Sequence, residues 1–257
     1  MIQKSIPKEA LTALQRIEQT LGNAVVAVYL YGSAVSGGLR KDSDVDLLVI
    51  LDQPMSKDDR GLLGERLLAE SGRVGNADGI RPLEVTVLSR KEVVPWKYPP
   101  RKEFIYGEWL RGAYEQGQIP EPAENPDLAI ILSQVRQSSI ALTGEAADRI
   151  LALVPVADVR RAMKDSLPDL ITHLRGDERN VILTLARMWV TATTGKFLAK
   201  DEAAQWVIPL LPKEQAALVD VAAKAYRGEC IDDWENLDFE LTALVVRLKQ
   251  EIESRLG

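Results

Sequence analysis

The stretch from Tyr29 to Ile50 reads YLYGSAVSGGLRKDSDVDLLVI and holds the residues best suited to chemistry in this chain. Gly32 lets the backbone approach a ligand closely, and Ser33 beside it offers an N–H and a hydroxyl to a phosphate. Further on, Asp44 and Asp46 are separated by one residue. In a strand that spacing puts both carboxylates on one face and turns Val45 toward the core. Two ionised carboxylates so close repel each other, and a hard divalent cation, Mg²⁺ first among them, relieves the repulsion by taking oxygens from both. A third acid, Glu84, interrupts an otherwise apolar alternation in LEVTVL, residues 83–88. A Gly-Ser pair alone is an ordinary turn, and an Asp-x-Asp pair alone is often a solvated strand edge. Taken together, with Glu84 on a later strand, they form the constellation of metal-assisted phosphoryl or nucleotidyl transfer.

A sheet is needed to hold these groups. Residues 24–30 (AVVAVYL) and 45–51 (VDLLVIL) are short continuous apolar runs, the pattern of buried strands. In the third strand, Leu83, Val85 and Val87 face one way, Glu84 and Thr86 the other. Leu11, Leu14, Ile17 and Leu21 recur at helical spacing behind Pro7, and Ser56 to Asp59 offers a capping box ahead of Leu62, Leu63, Leu67 and Leu68. Helix, strand, loop, strand, helix, strand predicts a small mixed α/β domain over residues 1–154. From Asp158 onward only helical periodicity remains. Val181, Leu185, Met188 and Trp189 share one face, and Leu241, Leu244, Val245, Leu248 and Ile252 share another. An all-α helical bundle is therefore expected over residues 155–257, with the boundary at Val154-Pro155.

Composition narrows the function classes. The 257 residues contain one cysteine, Cys230, and one histidine, His173, which leaves no ligand set for a thiolate–imidazole zinc site and disfavours Cys–His and Ser–His–Asp nucleophile systems. Cys230 reads as a small core residue of a reducing compartment. A net charge of −6 argues against a nucleic-acid partner, which normally demands a basic footprint, and suits a cationic small substrate. The segment Met1 to Glu9 has no apolar leader and no apolar run reaches membrane-spanning length, so a soluble cytoplasmic protein, here taken as a monomer, is expected.

Gly32-Ser33, then Asp44-x-Asp46, then a carboxylate on a later strand resembles the nucleotidyltransferase superfamily typified by DNA polymerase β. Longer segments, GSAVSGGLRKDSDVDLLV, RPLEVTVL, VVPWKYPPRKEFIYGEWLRG and GDERNVILTLARMWVTATTGKFLAKDEAA, resemble the aminoglycoside adenylyltransferases, and most closely their spectinomycin 9-hydroxyl branch, along essentially the whole chain. The resemblance implies a DNA polymerase β-like mixed-sheet domain followed by a helical domain, ATP as co-substrate and an aminocyclitol antibiotic as acceptor. It implies Asp44 and Asp46 on Mg²⁺, Ser33 and Ser43 on phosphate oxygens, and Glu84 as general base on the antibiotic hydroxyl. With histidine so scarce, a carboxylate is also the chemically available base. Arg187, Lys200 and Tyr226 are implied on the nucleotide with Asp127 near it, and Trp109, Asp177 and Asn180 on the drug. By sequence alone Asp127 and Asp177 are ordinary helix N-caps.

One departure bears on specificity. Dual-specificity relatives carry a Trp and an Asp in a longer segment before Gly-Asp-Glu-Arg, whereas this chain has Leu170-Ile171-Thr172-His173-Leu174-Arg175 there, and Asn180 stands where they have a histidine. Losing a stacking surface and a cation partner weakens the case for streptomycin, whose guanidinium groups need both. The expectation is transfer of AMP to the 9-hydroxyl of spectinomycin; the alternative is a dual-specificity enzyme that also modifies streptomycin at 3″. Of a template-independent nucleotidyltransferase acting on RNA or protein, the RNA form is disfavoured by the charge, and a non-catalytic module by the intact acids.

Overall fold

The computed structural model describes residues 5–40, 43–73, 75 and 78–257; Met1–Lys4, read above for a leader, and Lys41 and Asp42 of the Gly-Ser to Asp-x-Asp loop lie outside them. The chain forms two compact units, Met1–Val154 and Pro155–Gly257.

In the first unit, α1 (Lys8–Leu21) leads into β1 (Val25–Tyr31), which is followed by β2 (Val45–Leu51), α2 (Lys57–Glu70) and β3 (Leu83–Ser89). A short helix α3 (Arg90–Val93), strands β4 (Arg101–Lys102) and β5 (Phe104–Tyr106), helix α4 (Arg111–Glu115) and strand β6 (Ala123–Glu124) come next, before α5 (Leu128–Gln137), β7 (Ile140–Thr143) and α6 (Ala147–Ile150). The five-stranded sheet has the order β5-β3-β2-β1-β7, while β4 and β6 pair separately. Only β2 and β3 run parallel, because α2 crosses over between them; the remaining pairs of the main sheet are antiparallel.

The odd-numbered residues Val45, Leu47, Val49, Leu83, Val85 and Val87 join Ala10, Ala13, Ile17, Leu63 and Leu67 in one hydrophobic core. The opposite face is not a solvated one. Leu48, Ile50, Thr86 and Leu88 are buried as well, so both faces of the central strands are covered and polar Thr86 lies inside. The alternation in 83–88 therefore marks a position for Glu84 and not an exposed side.

Two local expectations need correction. The buried stripe of α1 is Ala10, Ala13 and Ile17, while Leu11 is 50% exposed; small alanines let the helix lie close to the sheet and push the leucines to its flanks. Ser56 does cap α2, accepting from the Asp59 N–H at 3.0 Å, but its hydroxyl donates to the Asp59 carboxylate at 2.7 Å, so the acid closes on the serine side chain.

The second unit comprises α7 (Val156–Thr172), α8 (Glu178–Thr194), α9 (Lys200–Val207), α10 (Lys213–Arg227) and α11 (Asp238–Leu256). The apolar faces of α8 and α11 are buried as their periodicity predicts, with Trp189 edge-on to Trp206 at 5.9 Å. Cys230 is exposed, contrary to its reading as a core residue; it follows Gly228, which ends α10 in a left-handed turn. Among the described residues no helix is long and apolar enough to cross a membrane.

Candidate active site

The register of the sheet aligns the acids. Across β1, β2 and β3, Tyr31 is level with Asp46, and Asp46 with Glu84. Neighbours in register on adjacent strands project from the same face roughly 4.8 Å apart, so Asp46 and Glu84 stand side by side. Asp44 lies one residue ahead of β2, and all three acids are partly exposed where the flanking hydrophobic residues are not. The antiparallel pairing of β3 with β5 places Val85 level with Tyr106. Gly107 follows Tyr106 directly, as Glu84 precedes Val85.

Gly32 ends β1 and opens a single 3₁₀ turn, Gly32–Ala34, that carries Ser33. Its φ is +67°, and a Cβ built there would fall 1.8 Å from an Asp46 carboxylate oxygen. The carboxylate thus rests directly against the Gly32 Cα, in space that only glycine leaves open, and the Gly-Ser turn and the Asp pair form one unit. Gly32→Ala should therefore lose adenylyl transfer by at least tenfold while unfolding in urea shows a cost of about 1–2 kcal/mol for the left-handed backbone; an alanine variant with full activity would mean the Asp46 carboxylate need not sit there.

The loop entering β2 is held from the next strand. The Arg81 guanidinium donates to the carbonyls of Arg40, at 2.5 Å, and Ser43, at 3.2 Å. Ser43 is 6% exposed and its Oγ accepts the Arg40 N–H at 2.9 Å, so the hydroxyl expected on phosphate also closes the turn of its own loop. Arg81 was not anticipated; its only signal in the sequence is a cation immediately before the Pro-Leu that opens the third strand.

Asp127 precedes α5 but makes no capping bond with its side chain; Asn125 Oδ1 accepts the Asp127 N–H at 3.0 Å instead. Burial lowers the Lys102 pKa, and the charge of Asp127 counters that shift. Trp109 lies in the turn after β5 and is 60% exposed.

The remaining candidates belong to the second unit, where the structure brings three of them together. Lys200, the first residue of α9, donates to Asn180 Oδ1 of α8 at 2.5 Å, and its Nζ lies 5.7 Å from the ring centre of Tyr226 on α10. Arg187 is on the same helix as Asn180 and is partly buried. Asp177 stands at the N-terminus of α8 without a side-chain capping bond, which corrects the cap assigned to it. Asn180, expected on the drug, is thus bonded to the lysine expected on the nucleotide.

Among the described residues no three His, Cys, Asp or Glu side chains converge as a metal cage. That does not count against Mg²⁺, which is held by one or two carboxylates together with substrate phosphates. Adjacent carboxylates and a glycine that lets one of them close in are a fitting donor set.

Comparison with known proteins gives the family. Residues 8–110 match the nucleotidyltransferase domain, the class of enzyme that the sheet and its row of acids define. Residues 149–251 match the aminoglycoside adenylyltransferase C-terminal domain. Over its whole length the chain is 56% identical to spectinomycin 9-adenylyltransferase of Staphylococcus aureus, covering 99% of that protein. It is 39% identical to aminoglycoside (3″)(9) adenylyltransferase of Escherichia coli, over 94% of this chain and 92% of the other. The crystal structure of spectinomycin adenyltransferase from Enterococcus faecalis with ATP and spectinomycin superposes with a TM-score of 0.89 at 36% identity, covering 94% of this chain and 98% of that one. The chain belongs to the aminoglycoside adenylyltransferase family, and is an enzyme with the family's mixed-sheet nucleotidyltransferase domain and helical C-terminal part.

Proposed function

We propose that this protein transfers AMP from ATP to the 9-hydroxyl of spectinomycin. The observation that carries the reading is the row of Asp46 and Glu84 in register on β2 and β3, with Gly32 opened to the Asp46 carboxylate. Adenylyl transfer needs a held triphosphate, neutralised charge at the phosphates, and an acceptor hydroxyl relieved of its proton. Asp44 and Asp46 would hold Mg²⁺, which supplies Lewis-acid neutralisation of the phosphates when bound. Ser33 and Ser43 donate to phosphate oxygens. Glu84 accepts the hydroxyl proton as the oxygen attacks the α-phosphorus and pyrophosphate leaves. Asp46 occupies the neighbouring register position, so the base stands beside the carboxylates that keep the phosphates near.

Arg187, Lys200 and Tyr226 we assign to the nucleotide, with Asp127 near it; a guanidinium and an ammonium balance triphosphate charge. Trp109 and Asp177 we assign to the drug, the first as an apolar wall and the second as partner for an ammonium group. Asn180 joins them, held by its bond to Lys200.

Spectinomycin is favoured over streptomycin because Leu170 to Arg175 offers neither an indole nor a carboxylate, and because the Staphylococcus aureus and Enterococcus faecalis relatives carry the spectinomycin name. The test is pyrophosphate release from ATP and Mg²⁺ with spectinomycin, streptomycin or no acceptor. Release with spectinomycin alone is expected. Release with both drugs would replace this reading by the dual-specificity one, and release with neither would overturn the acceptor.

A further inference from the structure

Around Trp109 lies a buried polar cluster that none of the roles above uses. The Glu108 carboxylate accepts from Arg111 Nε at 2.6 Å and Nη2 at 2.7 Å, from the Ser71 hydroxyl at 2.7 Å and from the Tyr106 hydroxyl at 3.2 Å. The side chains of Arg111 and Glu108 are only 12% and 11% exposed. Burial alone would raise the Glu108 carboxyl, but the bonds from Arg111, Ser71 and Tyr106 outweigh it and hold the group below the usual carboxylate range. Burial likewise pushes the Tyr106 phenol up to about 12, so it stays a donor. Ser71 ties the cluster to β3, since its Oγ accepts the N–H of Leu83, the residue before Glu84, at 3.0 Å, and its carbonyl accepts from Arg111 Nη2 at 2.6 Å.

Gly107 completes the arrangement. A Cβ there would fall 2.3 Å from two atoms of the Trp109 ring, so the indole lies flat over the Gly107 Cα. Gly107 is extended, with φ of −166°, hence glycine is required for the space above it and not for its backbone angle. Trp109 is therefore an exposed aromatic seated on Gly107 and preceded by the bonded Glu108, next to the Tyr106 that pairs with Val85, the residue after Glu84. An exposed indole free to choose its rotamer would not need such a seat.

We propose that Gly107, Ser71, Glu108 and Arg111 are positioning residues for the acceptor, holding the Trp109 indole as a fixed wall beside Glu84 so that the antibiotic hydroxyl meets the base. The inference rests on the assignment of Trp109 to the drug and Glu84 to the proton. It differs from a stability role: the cluster sets acceptor affinity, through the indole, and leaves the nucleotide alone.

The test is a pair of double-mutant cycles on the full-length protein, Gly107→Ala with Trp109→Ala and Glu108→Gln with Trp109→Ala, reading KM for spectinomycin, KM for ATP and Tm. Gly107→Ala meets only a partly exposed side chain that can swing aside, so the protein should fold. Each single variant is expected to raise the spectinomycin KM about tenfold, the scale of one lost apolar contact between the drug and the indole, with ATP KM unchanged. In the Trp109→Ala background Gly107→Ala and Glu108→Gln should add little. Should either penalty persist in full without the indole, or should ATP KM rise in parallel, the positioning role is overturned. Trp109→Ala with an unchanged spectinomycin KM would instead remove the assignment of Trp109 beneath it.

Discussion

Asp46→Asn is expected to abolish adenylyl transfer to within about a thousandth of the parent rate, with no loss of thermal stability. The two halves of this expectation have one cause. Asp46 and Glu84 stand in register on neighbouring strands and Asp44 is close in sequence, so the folded protein brings like charges together. Replacing one carboxylate by an isosteric amide relieves that repulsion while keeping the shape that fits against Gly32. It also removes an anionic ligand whose contribution to a metal-assisted transfer is several kcal/mol, and each 1.36 kcal/mol is about tenfold in rate. Pyrophosphate release under saturating ATP, Mg²⁺ and spectinomycin measures the first half, and a thermal melt without Mg²⁺ the second. A variant with more than a tenth of the parent rate would remove Asp46 from the metal site.

Glu84→Gln should lower kcat by about a hundredfold to ten-thousandfold, the usual worth of a general base, while changing either KM little. Glutamine fills the same place in β3, between buried Leu83 and Val85, and can still hydrogen-bond a hydroxyl; it cannot take its proton. The split between kcat and KM is the informative part. A rise in spectinomycin KM with kcat preserved would make Glu84 a binding residue and would require another base.

The acids were legible in the sequence because strands write their geometry into it with a period of two. Asp44 and Asp46 could be placed on one face of their strand, and Glu84 picked out as the lone carboxylate of 83–88, from the sequence. Gly32 was legible as a close approach, though the sequence could not say that what approaches is the Asp46 carboxylate, a contact made across β1 and β2. What failed were judgements that depend on partners distant in the chain. Leu11 looked interior because periodicity reports one helix, not what covers its far side, and for the same reason the cover over Thr86 on β3 could not be read. Cys230 looked buried from residue type alone. Asp127 and Asp177 looked like caps by position, yet neither side chain makes the bond, and Asn125 serves the first helix in its place. Strand β7 went unseen because four residues carry too little pattern. The Ser71–Glu108–Arg111 cluster was invisible because Ser71 comes from a distant segment and each member is by itself an ordinary polar residue.

The single parallel pairing in the sheet bears on how the chain reaches its active state. Strands β2 and β3 cannot meet through a tight turn; α2 must first be laid across before Asp46 comes level with Glu84. The antiparallel β1–β2 pair is joined by a shorter excursion and has a lower loop-closure cost. Nascent chain that has formed only the β1–β2 hairpin therefore holds Gly32 against Asp46 but does not yet have Glu84 beside it. The base arrives last, with the crossover, so during refolding the recovery of turnover should trail the burial of the β1–β2 core.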